Sequence, residues 1–251
     1  CSPVNATLDQ LTLATMDLAL WFVYLDDYDG SDYSELYHAC GRVLDGGRPD
    51  VDAFPILRLY ADHCHRIRDL RPKTTRYLTQ RQHLLMQYER RNDAGRRGEM
   101  LSFDEYLAIR ISTTGIDWWM SVWELLDGFE PTEGERSHSQ VDRAVDAVAR
   151  WFIFMNEPRS VARDFASKTP NLVLIHAREA GIAAEEAIVS LSRMAGVALA
   201  DFDSAVISIR EELSDSAAVM GMVAFLEGCL VGAGSLYSKR TERYQDACQS
   251  R

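Results

Sequence analysis

Residues 140–165, QVDRAVDAVARWFIFMNEPRSVARDF, indicate the fold class of this chain. Apolar side chains recur every three or four positions, at Val141, Val145, Val148, Trp151, Phe152 and Met155. This spacing predicts an amphipathic helix, because one face of an α-helix repeats every ~3.6 residues. Pro158 lies inside the pattern and predicts a kink or local bulge, since proline lacks the backbone donor.

The same periodicity extends over almost the whole chain. It predicts further helices over residues 8–28, 32–45, 52–70, 74–94, 102–112, 116–126, 171–180, 183–197, 200–213 and 215–247, with loops near 92–95 and 128–137. The sequence contains no β-hairpin signal, internal repeat or clear linker. We therefore expect one all-α domain over residues 1–251, with its helices packed around a common core.

Composition excludes several classes of protein. The chain has 251 residues, of which 47% are hydrophobic and 26% charged, values typical of a globular protein. Its net charge of −11 argues against broad electrostatic binding to nucleic acid or to an anionic membrane. No apolar run reaches the ~18 residues of a membrane span. Five scattered cysteines favour reduced thiols in a cytoplasmic protein.

Two oxygen-rich clusters are candidate metal sites. Asp26, Asp27 and Asp29 end the first predicted helix, and their charges repel one another unless a cation is present. Asn156, Ser160 and Asp164 are spaced four residues apart, so their oxygens line one helix face. Hard ions such as Mg²⁺ prefer these ligands. The alternative for each cluster is a solvated polar helix surface.

These clusters resemble the two metal-binding motifs of class I terpene synthases, the bacterial and fungal terpene cyclases. Residues 26–29 are similar to the aspartate-rich motif in a shortened DDxD form. Asn156, Ser160 and Asp164 are similar to the NSE triad, with Asp164 in place of the usual, longer Glu. Relatives usually carry additional helical sequence before the aspartate-rich motif, so we expect that some N-terminal sequence is missing here.

The resemblance extends to the residues that contact diphosphate. It implies that Arg110 is the diphosphate-sensing arginine, and that Arg163, Arg243 and Tyr244 also bind diphosphate. Thr114 lies in a predicted break between two helices. The resemblance implies that a backbone carbonyl in this break points at the developing cation.

The resemblance implies a complete reaction. A linear isoprenoid diphosphate, farnesyl or geranylgeranyl diphosphate, is ionised with the help of Mg²⁺, expected as three ions. The resemblance also implies a helical bundle around a central apolar cavity, in which the cation then cyclises before diphosphate is released. Asp26, Arg110, Thr114 and Phe22 are the expected catalytic residues. The candidate cavity-lining residues, each of which is also a candidate for ordinary core packing, are Phe22, Trp118, Trp119, Trp151, Phe154 and Tyr237.

Three other functions remain open at this point. A chain-elongating prenyltransferase normally has two aspartate-rich motifs, whereas this chain has one. A non-catalytic helical adaptor with a decayed site would explain the shortened motif. A ferritin-like di-iron bundle would use Glu35–His38 and Glu135–His138. The only partner expected for the cyclase is its small-molecule substrate, with no nucleic acid, and a homodimer is compatible with it.

Overall fold

A computed structural model of the chain describes residues 7–20, 32–70, 75–127 and 130–238. No strand occurs within these ranges, and the predicted all-α fold is confirmed. The helices are α1 (Leu8–Leu20), α2 (Tyr33–Leu44), α3 (Leu57–Leu70), α4 (Thr75–Arg97), α5 (Phe103–Thr113), α6 (Ile116–Asp127), α7 (Glu133–Arg136), α8 (Ser139–Ser167), α9 (Leu172–Ala180), α10 (Ala184–Glu212) and α11 (Ala217–Ser238).

The chain divides into two compact units. The N-terminal unit comprises Ser2–Arg90 and Asp117–Gly128, and the C-terminal unit comprises Arg91–Ile116 and Phe129–Arg251, together with Cys1. The expectation of a single domain over residues 1–251 stays a prediction.

The core of the N-terminal unit joins aliphatic and aromatic side chains from α1, α2, α3, α4 and α6. Leu36, Leu57 and Leu84 are each at most 1% exposed within it. This unit also buries a charged cluster, in which Asp17 of α1 contacts His63 of α3 and Arg81 of α4. A buried charge is tolerated only with a partner, so this cluster ties the three helices together.

The C-terminal unit is built around the two long helices α8 and α10. The core beside them includes Ile153 of α8, Leu172 and Val173 of α9, and Ala187 and Leu191 of α10, all fully buried. These contacts fix the orientation of α8, the helix that carries the NSE-like triad.

Local sequence signals correctly predicted the boundaries of α5. Ser102 accepts from the backbone N–H of Glu105, and the Glu105 side chain accepts from the backbone of Ser102, which is the predicted capping box. The helix ends at Thr113, and Gly115 adopts the left-handed region at φ +73° before α6 begins.

The predicted loop near residues 92–95 is wrong, because α4 continues to Arg97. Asp93 pairs with Arg97 at 3.0 Å, and Ala94 is buried. Gly95 serves close packing rather than a turn, since a Cβ atom there would lie 2.9 Å from Cδ of Pro170.

Two further predicted boundaries differ. The two helices predicted over 183–213 form the single helix α10, because Ala195, Ala198 and Phe202 continue one buried stripe. The predicted loop 128–137 contains the short helix α7. Pro158 lies inside α8, which continues through it as one helix, and the predicted kink stays a prediction.

One described helix meets the length and composition criteria for crossing a membrane. Glycines and Glu227 interrupt its apolar runs, yet the window Ala217–Ser235 has a mean hydropathy of 1.7. A third of the window is buried within the protein, with Val219 and Leu226 almost fully enclosed.

Candidate metal and diphosphate site

The NSE-like triad lies in the second half of α8. Asn156 is half-buried, whereas Ser160 and Asp164 are buried at 4% and 5% exposure. The Ser160 hydroxyl donates to Oδ2 of Asp164 at 2.6 Å, and Nε of Arg163 donates to Oδ1 of Asp164 at 3.2 Å. The structure therefore brings Ser160, Asp164 and Arg163 into direct contact.

The chemistry of this donor set fits a hard divalent cation. An amide oxygen, a hydroxyl and a carboxylate are all ligands that Mg²⁺ accepts. Within the described residues there is no group of three or more His, Cys, Asp or Glu side chains placed to hold a metal. The triad differs from such a group because Asp164 supplies its only carboxylate.

Arg110 of α5 reaches α8 through a buried ion pair. Its Nε donates to Oε1 of Glu157 at 2.7 Å, and its Nη1 donates to Oγ1 of Thr113 at 2.9 Å. Arg110 is 8% exposed and Glu157 is 2% exposed. Glu157 therefore holds the guanidinium of Arg110, the predicted diphosphate sensor. Because Glu157 directly follows Asn156, this ion pair lies next to the triad along the chain.

The start of α9 joins the same polar network. The backbone N–H of Leu172 donates to Oε2 of Glu157 at 2.7 Å, so both oxygens of this carboxylate have a donor. Asn171 precedes it, and its side-chain Nδ2 lies 2.9 Å from Oδ2 of Asp164. These contacts link α5, α8 and α9 at one polar centre.

Sequence reasoning missed Glu157 and Asn171. Glu157 lies two residues after the apolar run of residues 151–155. Asn171 precedes the run Leu172–Ile175, which is the position of an N-cap. The N-cap signal predicts a helix start, but it carries no information about contact with Asp164.

Tyr106 lies beside this network, fully buried, and its hydroxyl donates to the carbonyl oxygen of Pro170. Burial raises the pKa of Tyr106, and the negative charge of Glu157 raises it further. The phenol therefore remains a neutral donor that fixes the connection between α8 and α9.

Thr114 is placed at the C-cap of α5. Its backbone N–H donates to the carbonyl of Arg110 at 2.9 Å, and its hydroxyl donates to the carbonyl of Ile111 at 2.7 Å. The helix break is therefore connected by hydrogen bonds to the residue predicted to sense diphosphate.

The candidate cavity residues fall into different environments. In the C-terminal unit, the ring centroids of Trp151 and Tyr237 lie 6.1 Å apart, and Arg159 lies over the Tyr237 ring at 4.8 Å. Phe154 is 5% exposed and belongs to the core cluster that α8 shares with α5, α9 and α10.

The remaining tryptophans belong to the N-terminal unit. Trp118 is 1% exposed and packs against the guanidinium of Arg81, 4.5 Å from its ring centroid. Trp119 is half-buried, with its ring centroid 4.9 Å from that of Trp118. Trp118 thus has the environment of a core residue.

Several predicted site residues lie outside the described residues. They are Phe22, Asp26, Asp27, Asp29, Arg243 and Tyr244.

The histidines considered for a di-iron site have other partners. His38 contacts Glu89 at 3.3 Å, and His138 contacts Glu212 at 3.2 Å. Glu135 caps the start of α7 by accepting from Thr132. None of these pairs belongs to a larger group of potential ligands in the described part of the chain.

Comparison with known proteins identifies the family. Residues 17–201 match the family model described as "Terpene synthase family 2, C-terminal metal binding". No curated protein sequence matches the chain.

Three similar solved structures are terpene synthases. Linalool/nerolidol synthase from Streptomyces clavuligerus, in complex with 2-fluorogeranyl diphosphate, is 18% identical with a TM-score of 0.80, over 94% of this chain and 84% of that one. 2-Methylisoborneol synthase from Streptomyces coelicolor A3(2), in complex with Mg²⁺ and 2-fluoroneryl diphosphate, is 15% identical with a TM-score of 0.77. The match covers 95% of this chain and 79% of that one. An α-eudesmol synthase is 23% identical with a TM-score of 0.80, and the match covers 94% of this chain and 82% of that one. The chain therefore belongs to terpene synthase family 2, a metal-binding family, and has the all-α fold of the class I terpene synthases.

Proposed function

We propose that this protein is a metal-dependent terpene cyclase. It ionises farnesyl or geranylgeranyl diphosphate, cyclises the carbocation and releases diphosphate, as a carbon–oxygen lyase acting on phosphates. The observation that carries the proposal is the buried network from Arg110 through Glu157 to Asn171 and Asp164. It lies within the part of the chain that matches the metal-binding family model.

The metal ligands in this proposal come from two segments. Asn156, Ser160 and Asp164 would hold one Mg²⁺, and the aspartate-rich segment at residues 26–29 would hold the others of an expected three. Bound Mg²⁺ neutralises the diphosphate and stabilises the negative charge that develops as the C–O bond breaks.

Four cationic or hydroxyl side chains would bind the diphosphate. Arg110 and Arg163 are candidates because a guanidinium presents a planar fork of donors that matches phosphate oxygens. Arg243 and Tyr244 join them through the family resemblance. Glu157 keeps Nε of Arg110 in place, so that the guanidinium does not have to be ordered when substrate binds.

The cation that remains after ionisation must be protected from water. Aromatic faces stabilise it through their quadrupoles, and an apolar cavity folds the chain into a reactive conformation. Trp119, Trp151 and Tyr237 are the described candidates that are only partly buried. A carbonyl near Thr114 would face the cation, and deprotonation or water capture would end the reaction.

The test is product analysis. Purified protein is incubated with farnesyl and geranylgeranyl diphosphate in the presence of Mg²⁺, and the products are identified by mass spectrometry. We expect a cyclic hydrocarbon or alcohol, loss of turnover in Asn156→Ala and Arg110→Ala, and no product when the metal is chelated.

The matched control for Arg110→Ala is Arg150→Ala. Arg150 lies on α8 in a half-exposed pair with Asp146, so its removal should leave turnover unchanged. A longer prenyl diphosphate as product would instead indicate an elongating prenyltransferase. No turnover with either substrate would indicate a non-catalytic adaptor, and both results would overturn the proposal.

A further inference from the structure

The side chain of Asn171 has an orientation that its surroundings determine. It is 1% exposed and is the N-cap of α9, where its Oδ1 accepts from the backbone N–H of Val173 at 2.9 Å. An acceptor is needed at that position, so the amide NH₂ group must face the other way, toward α8.

On that side, the NH₂ group meets three acceptors of α8. Nδ2 lies 2.9 Å from Oδ2 of Asp164, 3.0 Å from the carbonyl oxygen of Glu157 and 3.2 Å from Oγ of Ser160. Two of these three groups belong to the NSE-like triad. Asn171 is therefore in contact with both buried members of the proposed metal site.

Asp164 has an unusual need for such a partner. Its side chain is one methylene shorter than the glutamate usual at this position in the family. Its carboxylate therefore reaches less far from the axis of α8 toward an ion held by the triad. A shorter side chain has fewer rotatable bonds with which to adjust, and its carboxylate orientation depends on the groups that donate to it. Ser160 and Asn171 both donate to Oδ2, which leaves Oδ1 on the side of Arg163.

We propose that Asn171 is a positioning residue of the metal site. It orients the Asp164 carboxylate and the Ser160 hydroxyl by hydrogen bonds from the start of α9, without itself binding the ion. Partners of this kind hold ligands in their binding geometry, and their removal typically lowers metal affinity about 10- to 100-fold. The inference rests on the proposed function, since it assumes that the triad binds a divalent cation.

The N-cap role and the positioning role can be separated by substitution. Asn171→Ser retains a side-chain oxygen suited to an N-cap and removes the NH₂ donors. Asn171→Gly also remains a tolerated cap and serves as a second variant if the serine form folds poorly. The matched control is Ser102→Ala, which removes the N-cap of α5 at a partly exposed position.

The measurement is Mn²⁺ binding in the presence of inorganic diphosphate, followed by the electron paramagnetic resonance signal of free Mn²⁺, which needs no turnover. We expect the dissociation constant to rise about 10- to 100-fold in Asn171→Ser and Asn171→Gly and to stay unchanged in Ser102→Ala. Thermal unfolding should show a reduced melting temperature in all three variants, because Ser102→Ala loses a cap and the Asn171 variants lose buried hydrogen bonds. Reduced stability alone therefore cannot explain a difference in metal affinity.

The outcomes distinguish this inference from the proposed function. If the unsubstituted protein forms product and both Asn171 variants bind Mn²⁺ as it does, the positioning role is wrong and the proposed function stands. If the unsubstituted protein binds no Mn²⁺ with diphosphate, both are wrong. If it binds Mn²⁺ and the variants bind more weakly, but no prenyl diphosphate is turned over, the positioning role stands and the cyclase assignment does not.

Discussion

Neutralising Asp17 tests the buried charged cluster of the N-terminal unit. Asp17, His63 and Arg81 are each fully buried. Oδ1 of Asp17 lies 3.0 Å from Nε2 of His63, 3.3 Å from Nη2 of Arg81 and 3.1 Å from the donating hydroxyl of Tyr77. Asp17→Asn changes the shape little but removes the only carboxylate that contacts the Arg81 guanidinium among the described residues.

The expected loss of stability follows from the burial of that cation. Breaking a buried ion pair by removing one partner costs about 3–5 kcal/mol, since the other charge is left without compensation. For a chain of this size, each 1 kcal/mol lowers the melting temperature by about 2–4 °C. We therefore expect Asp17→Asn to unfold about 6–20 °C below the unsubstituted protein.

The assay is urea unfolding followed by circular dichroism, together with calorimetry. Asp62→Asn is the control, because Asp62 pairs with Arg66 at 2.9 Å on an exposed surface of α3. Such pairs contribute about 0.3–0.5 kcal/mol, so this variant should unfold almost as the unsubstituted protein does.

A double variant provides the refuting result. Asp17→Asn combined with Arg81→Met removes both charges, and we expect it to be more stable than Asp17→Asn alone. If the two substitutions were additive, or if Asp17→Asn unfolded at the unsubstituted temperature, the buried charge would not be what makes Asp17 necessary.

Three further predictions concern other parts of the structure. Glu157→Gln replaces one of the two carboxylate oxygens by an NH₂ group, so either Arg110 or the backbone N–H of Leu172 loses its acceptor. We expect urea unfolding to show a free energy of unfolding lower by about 1–3 kcal/mol, and steady-state kinetics to show reduced turnover. Burial raises the pKa of Cys40 and of Cys64 to about 12. At pH 8, with the other three cysteines replaced by serine, the native protein should thus react with a disulfide reagent about a thousandfold more slowly than the unfolded chain. Gly95→Ala should be destabilising in urea unfolding by about 1–2 kcal/mol, because the added Cβ lies 2.9 Å from a proline ring.

Each of these has a result that would contradict it. If Glu157→Gln were as stable as the unsubstituted protein, Glu157 would not be a necessary acceptor in the network. The thiol rate should rise about tenfold per pH unit, and the free energy of unfolding should fall as the pH rises above about 9, because only the unfolded chain ionises there. A pH-independent thiol rate would argue against buried thiols. Gly196→Ala places a Cβ with no atom within 4 Å apart from the local backbone of α10, so it should stabilise that helix by about 0.5–1 kcal/mol. The same gain in Gly95→Ala would refute the close contact.

Local signals account for what could be predicted of the fold. The apolar spacing around Trp151 predicted α8, and the Ser102–Glu105 capping box predicted the start of α5. Both signals depend on residues within one or two turns of each other. The prediction of a loop near 92–95 was wrong because glycine is common in turns, and the sequence gives no other reason for Gly95. In the structure, Gly95 allows close approach to Pro170, which is distant in sequence.

The candidate site follows the same division. The spacing of Asn156, Ser160 and Asp164 identified the triad, because four-residue steps share a helix face. Nothing in the spacing identified Glu157 as the partner of Arg110, since that contact requires α5 and α8 to pack side by side.

The amino-acid sequence by itself determined the all-α fold class and the family, and it predicted the chemical types of the metal and diphosphate ligands. Helical periodicity, caps and motif spacing are properties of neighbouring residues and need no knowledge of packing. Only the tertiary structure decided that Asn171 donates to Asp164 and that Asp17 pairs with Arg81. Those pairs form because burial removes water as an alternative partner, and which groups are buried together depends on how distant helices pack.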